Sequence, residues 1–237
     1  MFAFPPRLIP SPFVLEWYRR LFESASLFQR YYFNSLYLSG VVAAGVAFFG
    51  SLAGYSFAKL QFKFKEPIFL LLLSSLMVAQ EAVIVPQYVI FSRLGWINTH
   101  LPLIFPPMLG AGGIFALFLC RKFYISIPDD LLDAAKIDGC GQFGIYRRVI
   151  LPLSRSIVAT AFLLTFLARW DNLLDALVFL NDIELFTLPL AISMLNTMNA
   201  GWTDQMAASS LATIPVLIIF MLAQKQLVKS IALSGLK

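Results

Sequence analysis

The chain carries a polar, basic stretch, Asp133-Ala-Ala-Lys-Ile-Asp-Gly139 followed by Arg147-Arg-Val-Ile-Leu-Pro152, between two long apolar segments. Hydrophobic residues make up 59% of the 237 residues and charged residues 13%, against about 25% charged in soluble domains. No charged residue lies between Arg30 and Lys59, within residues 101–120 or within residues 205–224. Because about 20 apolar residues cross the hydrocarbon core of a bilayer, these runs predict several transmembrane segments.

The predicted fold class is an all-α polytopic membrane protein with five visible transmembrane helices. Helices are the only fit, because the apolar runs are longer than barrel strands and do not alternate. The second segment contains Glu81 and Pro86, and the fourth contains Arg169 and Asp171, so we predict that the fourth is interrupted. The segments lie near residues 34–58, 67–91, 101–123, 150–180 and 205–228.

Basic residues predict the orientation of the chain. Of its eighteen Lys and Arg residues, twelve follow the first segment, lie in or beside the loop at 124–152 or lie near the C-terminus, whereas the loop at 181–204 has none. Cytoplasmic loops are enriched in Lys and Arg. We therefore expect the 124–152 loop and the tail at 229–237 in the cytoplasm, and the 181–204 loop outside.

The same orientation predicts that residues 1–33 form an external segment. Four basic residues there oppose the charge rule, and no signal peptide is visible, so we expect one more transmembrane segment upstream of Met1. Two interpretations of the segment stay open: a poorly ordered tail, or an amphipathic helix at the membrane interface. The helix would use four residues at helical spacing, Leu15, Tyr18, Leu21 and Phe22.

The sequence of the polar island, residues 124–152, predicts a helix–turn–helix. Pro128-Asp129-Asp130 is typical of a helix start, and Asp138-Gly139 of a helix end, because glycine readily adopts the left-handed conformation. A second short helix is predicted from Phe143 to Val149, with Leu151-Pro152 opening the fourth transmembrane segment. We expect Ala134 and Ala135 on a surface that another protein can approach closely.

Several motifs that suggest other functions can be set aside. Gly139-Cys-Gly-Gln-Phe-Gly144 fits G-x-G-x-x-G but has no strand before it, and it lacks the Lys of a phosphate-binding loop. Two cysteines and one histidine leave no room for a metal cluster or a disulfide framework. We therefore expect no catalytic residue, metal site or cofactor in this chain, and no nucleic acid partner.

The pattern Asp133-Ala134-Ala135-x-x-Asp138-Gly139, then Val149-x-Leu151-Pro152, resembles the EAA loop of ABC importer permeases. The chain has Asp133, Cys140 and Val149 where the family usually has Glu, Ala and Ile. Further motifs resemble the carbohydrate-uptake branch, including its maltose-type permease subunits: Asn34-Ser-Leu36, Tyr55-Ser-Phe-Ala-Lys59, Leu94-Gly-Trp-Ile-Asn-Thr99 and Ser126-Ile-Pro128. The resemblance covers nearly the whole chain and implies six transmembrane helices, the first preceding residue 1.

The resemblance also implies partners and roles. Such permeases pair with a homologous second permease, bind two cytoplasmic ATPase subunits and receive solute from an extracytoplasmic solute-binding protein. The implied function is import of a sugar or related polyol across the cytoplasmic membrane of a prokaryote. Seven residues would couple ATPase movement to the membrane helices: Asp133, Ala134, Ala135, Asp138, Gly139, Leu151 and Pro152.

Alternative functions are an ABC permease for another solute, such as an amino acid or phosphate, and an ion-coupled secondary transporter. A membrane-embedded enzyme is a third, and the single histidine argues against it. Ionisable groups inside a membrane are costly and suggest function, so Glu81, Asp171 and Asn172 are candidates for the translocation path, with structural hydrogen bonds as the alternative. Arg169 and Asp171 could flank a helix break.

One further motif predicts packing. Gly50-Ser-Leu-Ala-Gly54 has the G-x-x-x-G spacing that allows close helix–helix approach, although chance explains it equally well. Gly110-Ala-Gly-Gly113 indicates either close packing or a break within the third segment.

Overall fold

The computed structural model describes residues 16–23, 26–197 and 201–234, and every regular element in these ranges is helical, as the sequence predicted. A π-helical turn spans Tyr146–Ile150 and a 3-10 turn spans Ile183–Leu185. The α-helices are α1 (Glu16–Glu23), α2 (Ser26–Lys59), α3 (Lys65–Ser75), α4 (Gln80–Arg93), α5 (Leu101–Leu109), α6 (Ala111–Ile125), α7 (Asp130–Ile137), α8 (Gln142–Ile145), α9 (Leu151–Leu153), α10 (Arg155–Trp170), α11 (Leu174–Phe179), α12 (Leu188–Thr197) and α13 (Trp202–Ser234).

Within the described ranges, three helical stretches are long and apolar enough to cross a membrane, or five if each of two bent pairs forms one span. The predicted second segment at 67–91 is not one helix, because α3 and α4 meet at 96° across residues 76–79. Helix α3 ends in a tightened last turn. The Ser74 and Ser75 hydroxyls donate to carbonyls three residues back, and the N–H groups of the next residues bond at the same spacing.

The fourth segment is interrupted, as predicted, but its start differs. Pro152 does not open the transmembrane helix, because α10 begins at Arg155 after a bend of 80°. Ser154 sits at the bend, and its hydroxyl donates to the Ile150 carbonyl at 2.7 Å, which satisfies the end of the preceding helix. A second break follows Trp170 and separates α10 from α11.

The core is organised around α2, which packs along both α6 and α10. A Cβ atom on Gly50 would lie 2.5 Å from the Ala116 Cβ, and one on Gly54 would lie 2.7 Å from the Cys120 Cβ. The G-x-x-x-G motif therefore marks close packing against α6. Gly110 ends α5 where α6 begins, so the Gly110–Gly113 stretch contains the predicted break.

The ends of the chain are more helical than predicted. Helix α1 is present, but it packs on α13, where the Tyr18 hydroxyl lies 3.0 Å from the Ser210 Oγ. Leu15 lies outside the described residues. Helix α13 continues through Ser234, so the tail predicted at 229–237 begins inside a helix, and residues 235–237 are again outside the described part. The 181–204 loop contains α12, whose Leu188 and Leu190 are fully buried.

Candidate functional site

The polar island forms the predicted helix–turn–helix. Helix α7 follows Asp129 and ends at Ile137, Asp138 caps it, and Gly139 takes a left-handed φ of 79°. The Cys140 N–H donates to the Ala135 carbonyl at 3.0 Å, and the Gly139 N–H to the Lys136 carbonyl at 2.9 Å, so the turn satisfies the end of the helix. The second helix runs from Gln142 through the π turn to Leu153, which is longer than the predicted Phe143–Val149.

Hydrogen bonds tie the island to the end of α2. The Lys59 Nζ donates to the Ile127 carbonyl at 2.6 Å and to the Asp129 carboxylate at 2.7 Å. Lys59 holds the pKa of Asp129 below its usual value, so this ion pair is complete at neutral pH and is lost as the pH falls through that lowered pKa. The Tyr55 hydroxyl donates to Gln142 at 2.9 Å. These contacts bring the basic loop after α2 and the island to the same end of the helix bundle.

The island has an inner and an outer face, which corrects one prediction. Ala135 is 8% exposed and packs with Leu132 and Tyr124, so it is not on the surface as predicted. The reason is the helical period: Leu132 and Ala135 are three residues apart and share the inward face of α7. Leu151 is half-buried against the same cluster.

The outer face combines polar and apolar groups. Asp133, Ala134, Asp138 and Gly139 are exposed there, as is Pro152 near the end of the second helix. Large apolar side chains of its two helices are also exposed, including Leu131 at 45%, Phe143 at 60% and Ile137 at 87%. We call Leu131, Ala134, Ile137 and Phe143 the apolar surface of the island. Apolar groups exposed on a polar segment mark a surface that a partner protein can cover.

Substituting Gly139 by valine is expected to destabilise the turn by about 1–3 kcal/mol, because a β-branched residue is strained at positive φ. Faster amide hydrogen exchange in α7 would report it. Gly141→Val is the matched control: it lies in the same turn, a Cβ there also meets open space, and its φ of −70° suits any residue. Equal exchange in both variants would contradict the expectation.

A second polar cluster lies at the break between α10 and α11. The Asp175 side chain is only 5% exposed, and its carboxylate accepts hydrogen bonds from Arg169 Nη1 at 3.0 Å and from Gln80 Nε2 at 2.6 Å. The Asn172 Oδ1 accepts from the Asp175 N–H at 3.0 Å. The cluster therefore joins the start of α4 to the break that follows α10. A buried carboxylate is costly unless it is paired in this way.

The three predicted path residues separate in the structure. Only Asn172 joins the cluster. Glu81 is exposed in the first turn of α4, and Asp171 is exposed at the end of α10, on the edge of a different cavity. Arg169 pairs with Asp175 rather than with Asp171, because the break turns the chain and brings Asp175 back toward α10.

Sequence reasoning missed Gln80 and Asp175 as site residues. The signal available was weak: each is polar and lies within a predicted transmembrane segment, beside an interruption. The spacing of 95 residues between them gave no reason to pair them.

The fold has a close counterpart among solved structures. It matches a chain of a bacterial ABC transporter involved in import of the acidic polysaccharide alginate, with a TM-score of 0.78, 20% sequence identity and coverage of 92% of this chain and 81% of that chain. At this identity the match establishes the fold, which is that of an ABC importer permease.

Sequence comparisons agree with the fold. The chain is 32% identical over 229 residues to the arabinooligosaccharides transport system permease protein of Halalkalibacterium halodurans, covering 96% of this chain and 81% of that protein. It is 32% identical over 246 aligned residues to the trehalose/maltose transport system permease protein of Thermococcus litoralis, covering 87% of that protein. Residues 37–233 match the model of a family described as binding-protein-dependent transport system inner membrane component.

Proposed function

Because the chain belongs to the family of binding-protein-dependent transport system inner membrane components, we propose that it is one permease subunit of an ABC importer for a sugar or related polyol. Two relatives that it matches over most of their length are named for arabinooligosaccharides and for trehalose/maltose, which supports a saccharide over an amino acid or phosphate. A homologous second permease would complete the path, and a solute-binding protein would deliver the solute from outside.

The observation that carries the proposal is the apolar surface of the island. Two cytoplasmic ATPase subunits are the proposed partners, one for each permease, and the island would dock into one of them with the tail at 229–237 on the same side. Asp133, Ala134, Asp138 and Gly139 form the exposed contact. Ala135 and Leu151 support it from the buried side of the island, and Pro152 lies at the end nearest the bend.

The island has two mechanical connections to the bundle. Lys59 and Tyr55 bond it to the end of α2, and the helix from Gln142 to Leu153 joins it to α10 through the bend at Ser154. Helices α2 and α10 also pack against each other. When ATP closes the ATPase pair, the island is displaced, and the displacement is passed to two packed helices at once. Closure of the partner can therefore reorient the path in this chain.

Substituting Ile137 by aspartate is expected to lower recovery of the ATPase with this chain by about tenfold, because a loss of about 1.4 kcal/mol of binding free energy has that effect. Ile137 is 87% exposed, so its replacement should leave the fold intact. The measurement is co-purification of the ATPase with the tagged permease, expressed with its second permease, together with the melting temperature of the purified permease.

Phe64→Asp is the matched control. Phe64 is also an exposed apolar residue, at 63%, but it lies on the loop between α2 and α3, outside the island. We expect normal ATPase recovery with this variant. Equal recovery with the wild-type chain and both variants, or recovery of no ATPase by any of them, would refute the proposed docking role.

A further inference from the structure

Three helix breaks converge on one cavity of about 340 Å³. Its wall includes Val78 from the break between α3 and α4, and Gly110 from the break between α5 and α6. Arg169 and Asp175, on either side of the break between α10 and α11, also line the cavity. Within a membrane, irregular backbone is tolerated only where it is buried in protein or faces a water-filled cavity, and discontinuous helices form the solute sites of many transporters.

The cavity has the chemistry of a polar solute site. Its polar side chains are those of Ser75, Gln80, Gln87, Arg169 and Asp175, and the rest of the wall is largely apolar, with Phe179 on one side. The volume falls within the range of roughly 300–1,000 Å³ usual for ligand sites. Among the described residues Gln87 has no hydrogen-bond partner, so both its amide oxygen and its amide nitrogen are available to a ligand.

The charges in the cavity cancel. Arg169 Nη1 and Asp175 Oδ2 are 3.0 Å apart, and the remaining polar side chains, Ser75, Gln80 and Gln87, are uncharged. An anionic solute would meet the Asp175 carboxylate, and a cationic one would meet the Arg169 guanidinium. A neutral solute with many hydroxyl groups can instead donate to Asp175 and Gln87 and accept from Arg169, without exposing an uncompensated charge.

We propose that this cavity binds the hydroxyl-bearing part of a neutral saccharide, through Gln87, Arg169 and Asp175. The inference rests on the proposed function and narrows its substrate to neutral saccharides. The matched alginate importer, by contrast, is involved in import of an acidic polysaccharide. Gln80 is a positioning residue: its bond to Asp175 holds the start of α4 against the break after α10. A larger cavity of about 840 Å³ between α10, α12 and α13 includes Asp171, and no Lys or Arg is among the described residues that line it.

Cysteine protection in the assembled transporter tests the site directly and without the binding protein. The full complex of both permeases and the ATPase carries Val83→Cys, which lines the cavity, in a Cys140→Ser background, since the other cysteine, Cys120, is buried. We expect neutral arabinobiose, trehalose or maltose to slow modification by a water-soluble thiol reagent by about tenfold when the sugar is present at roughly ten times its dissociation constant. Alginate oligosaccharides should not slow it. Ser92→Cys, on the same helix but outside the cavity, should be unaffected.

Two variants identify the residues that bind the saccharide. Gln87→Leu should raise the half-protecting concentration of the neutral sugar about tenfold, as expected for loss of a buried hydrogen bond. Gln29→Leu, an exposed glutamine on α2, is its matched control and should change nothing. Asp175→Asn leaves the Arg169 charge unbalanced, so protection by the neutral sugar should weaken while protection by the alginate oligosaccharide should appear. A purely structural role for Asp175 would not reverse the preference.

The outcomes separate this inference from the proposed function. If the acidic sugar but not the neutral sugar protected Val83→Cys, the assignment to a neutral saccharide would be overturned. If neither sugar protected it, or if Ser92→Cys were protected equally, the cavity would not be the binding site. Each of these results leaves ATPase co-purification intact. Loss of ATPase co-purification would instead overturn the proposed function, whatever the cysteine labelling shows. If Asp175→Asn fails to assemble, the half-protecting sugar concentration of Gln87→Leu still shows whether the cavity binds the sugar.

Discussion

Gly50→Leu is expected to destabilise the protein by about 3 kcal/mol, near the upper end of what overpacking costs. The first added carbon would lie 2.5 Å from the Ala116 Cβ and 3.2 Å from the Gly113 carbonyl oxygen. The second of these is backbone and cannot rotate away, so α2 and α6 would have to separate. Because that contact is the most extensive helix pair in the fold, packing along both helices would be lost.

A drop in the melting temperature of the purified protein measures the effect. Gly40→Leu is the matched control, because Gly40 lies on the same helix and a Cβ there has nothing within 4 Å. Replacing glycine by leucine in a helix interior gains up to about 1 kcal/mol of helix propensity at either position. The difference between the variants therefore isolates packing. A similar melting temperature for both would show that α6 does not approach α2 this closely.

Arg169→Leu is expected to cost about 3–5 kcal/mol, the usual effect of removing one member of a buried ion pair. Asp175 would keep its hydrogen bond from Gln80 but would lose its cationic partner, with its side chain 5% exposed. The expected result is a loss of thermal stability, because the buried Asp175 carboxylate would no longer have a compensating cation. The same loss should appear as greater protease sensitivity at residues 171–173.

Two further variants show whether the loss comes from the unpaired charge. Arg155→Leu, at the exposed start of the same helix, should have little effect on stability. The double variant Arg169→Leu with Asp175→Leu should be more stable than Arg169→Leu alone, because it leaves no buried charge without a partner. If the double variant were the less stable of the two, the cost would come from lost shape and hydrogen bonds instead.

Local signals explain which features could be predicted from the sequence. Uncharged runs of about 20 residues predicted the membrane helices, because hydrophobic length is a property of each segment alone. Pro128-Asp129 and Asp138-Gly139 predicted the ends of α7, because capping and left-handed turns depend on a few neighbouring residues. The polar residues inside the fourth segment predicted its interruption, and that segment is broken. The second segment also contains polar residues, but it was predicted as one span and is broken as well.

Other features depended on contacts between distant parts of the chain. The burial of Ala135 follows from packing on Tyr124 and Leu132, which no local motif describes. The choice of Gln80, Arg169 and Asp175 over Glu81 and Asp171 depends on how two breaks face each other across the bundle. Neighbouring residues in a broken helix point in different directions, so a shift of one position changes which side chain enters the cavity.

The amino-acid sequence by itself determined the helical membrane architecture and the polar island with its turn at Gly139, because hydrophobic runs, caps and glycine conformations act over one or two helical turns. Only the tertiary structure decided which face of the island is free and which polar groups meet at the cavity. Those outcomes depend on the angle at each helix break and on the close approach of α2 to α6. Such geometry is set by packing among segments far apart in the chain, where no single stretch of sequence carries the information.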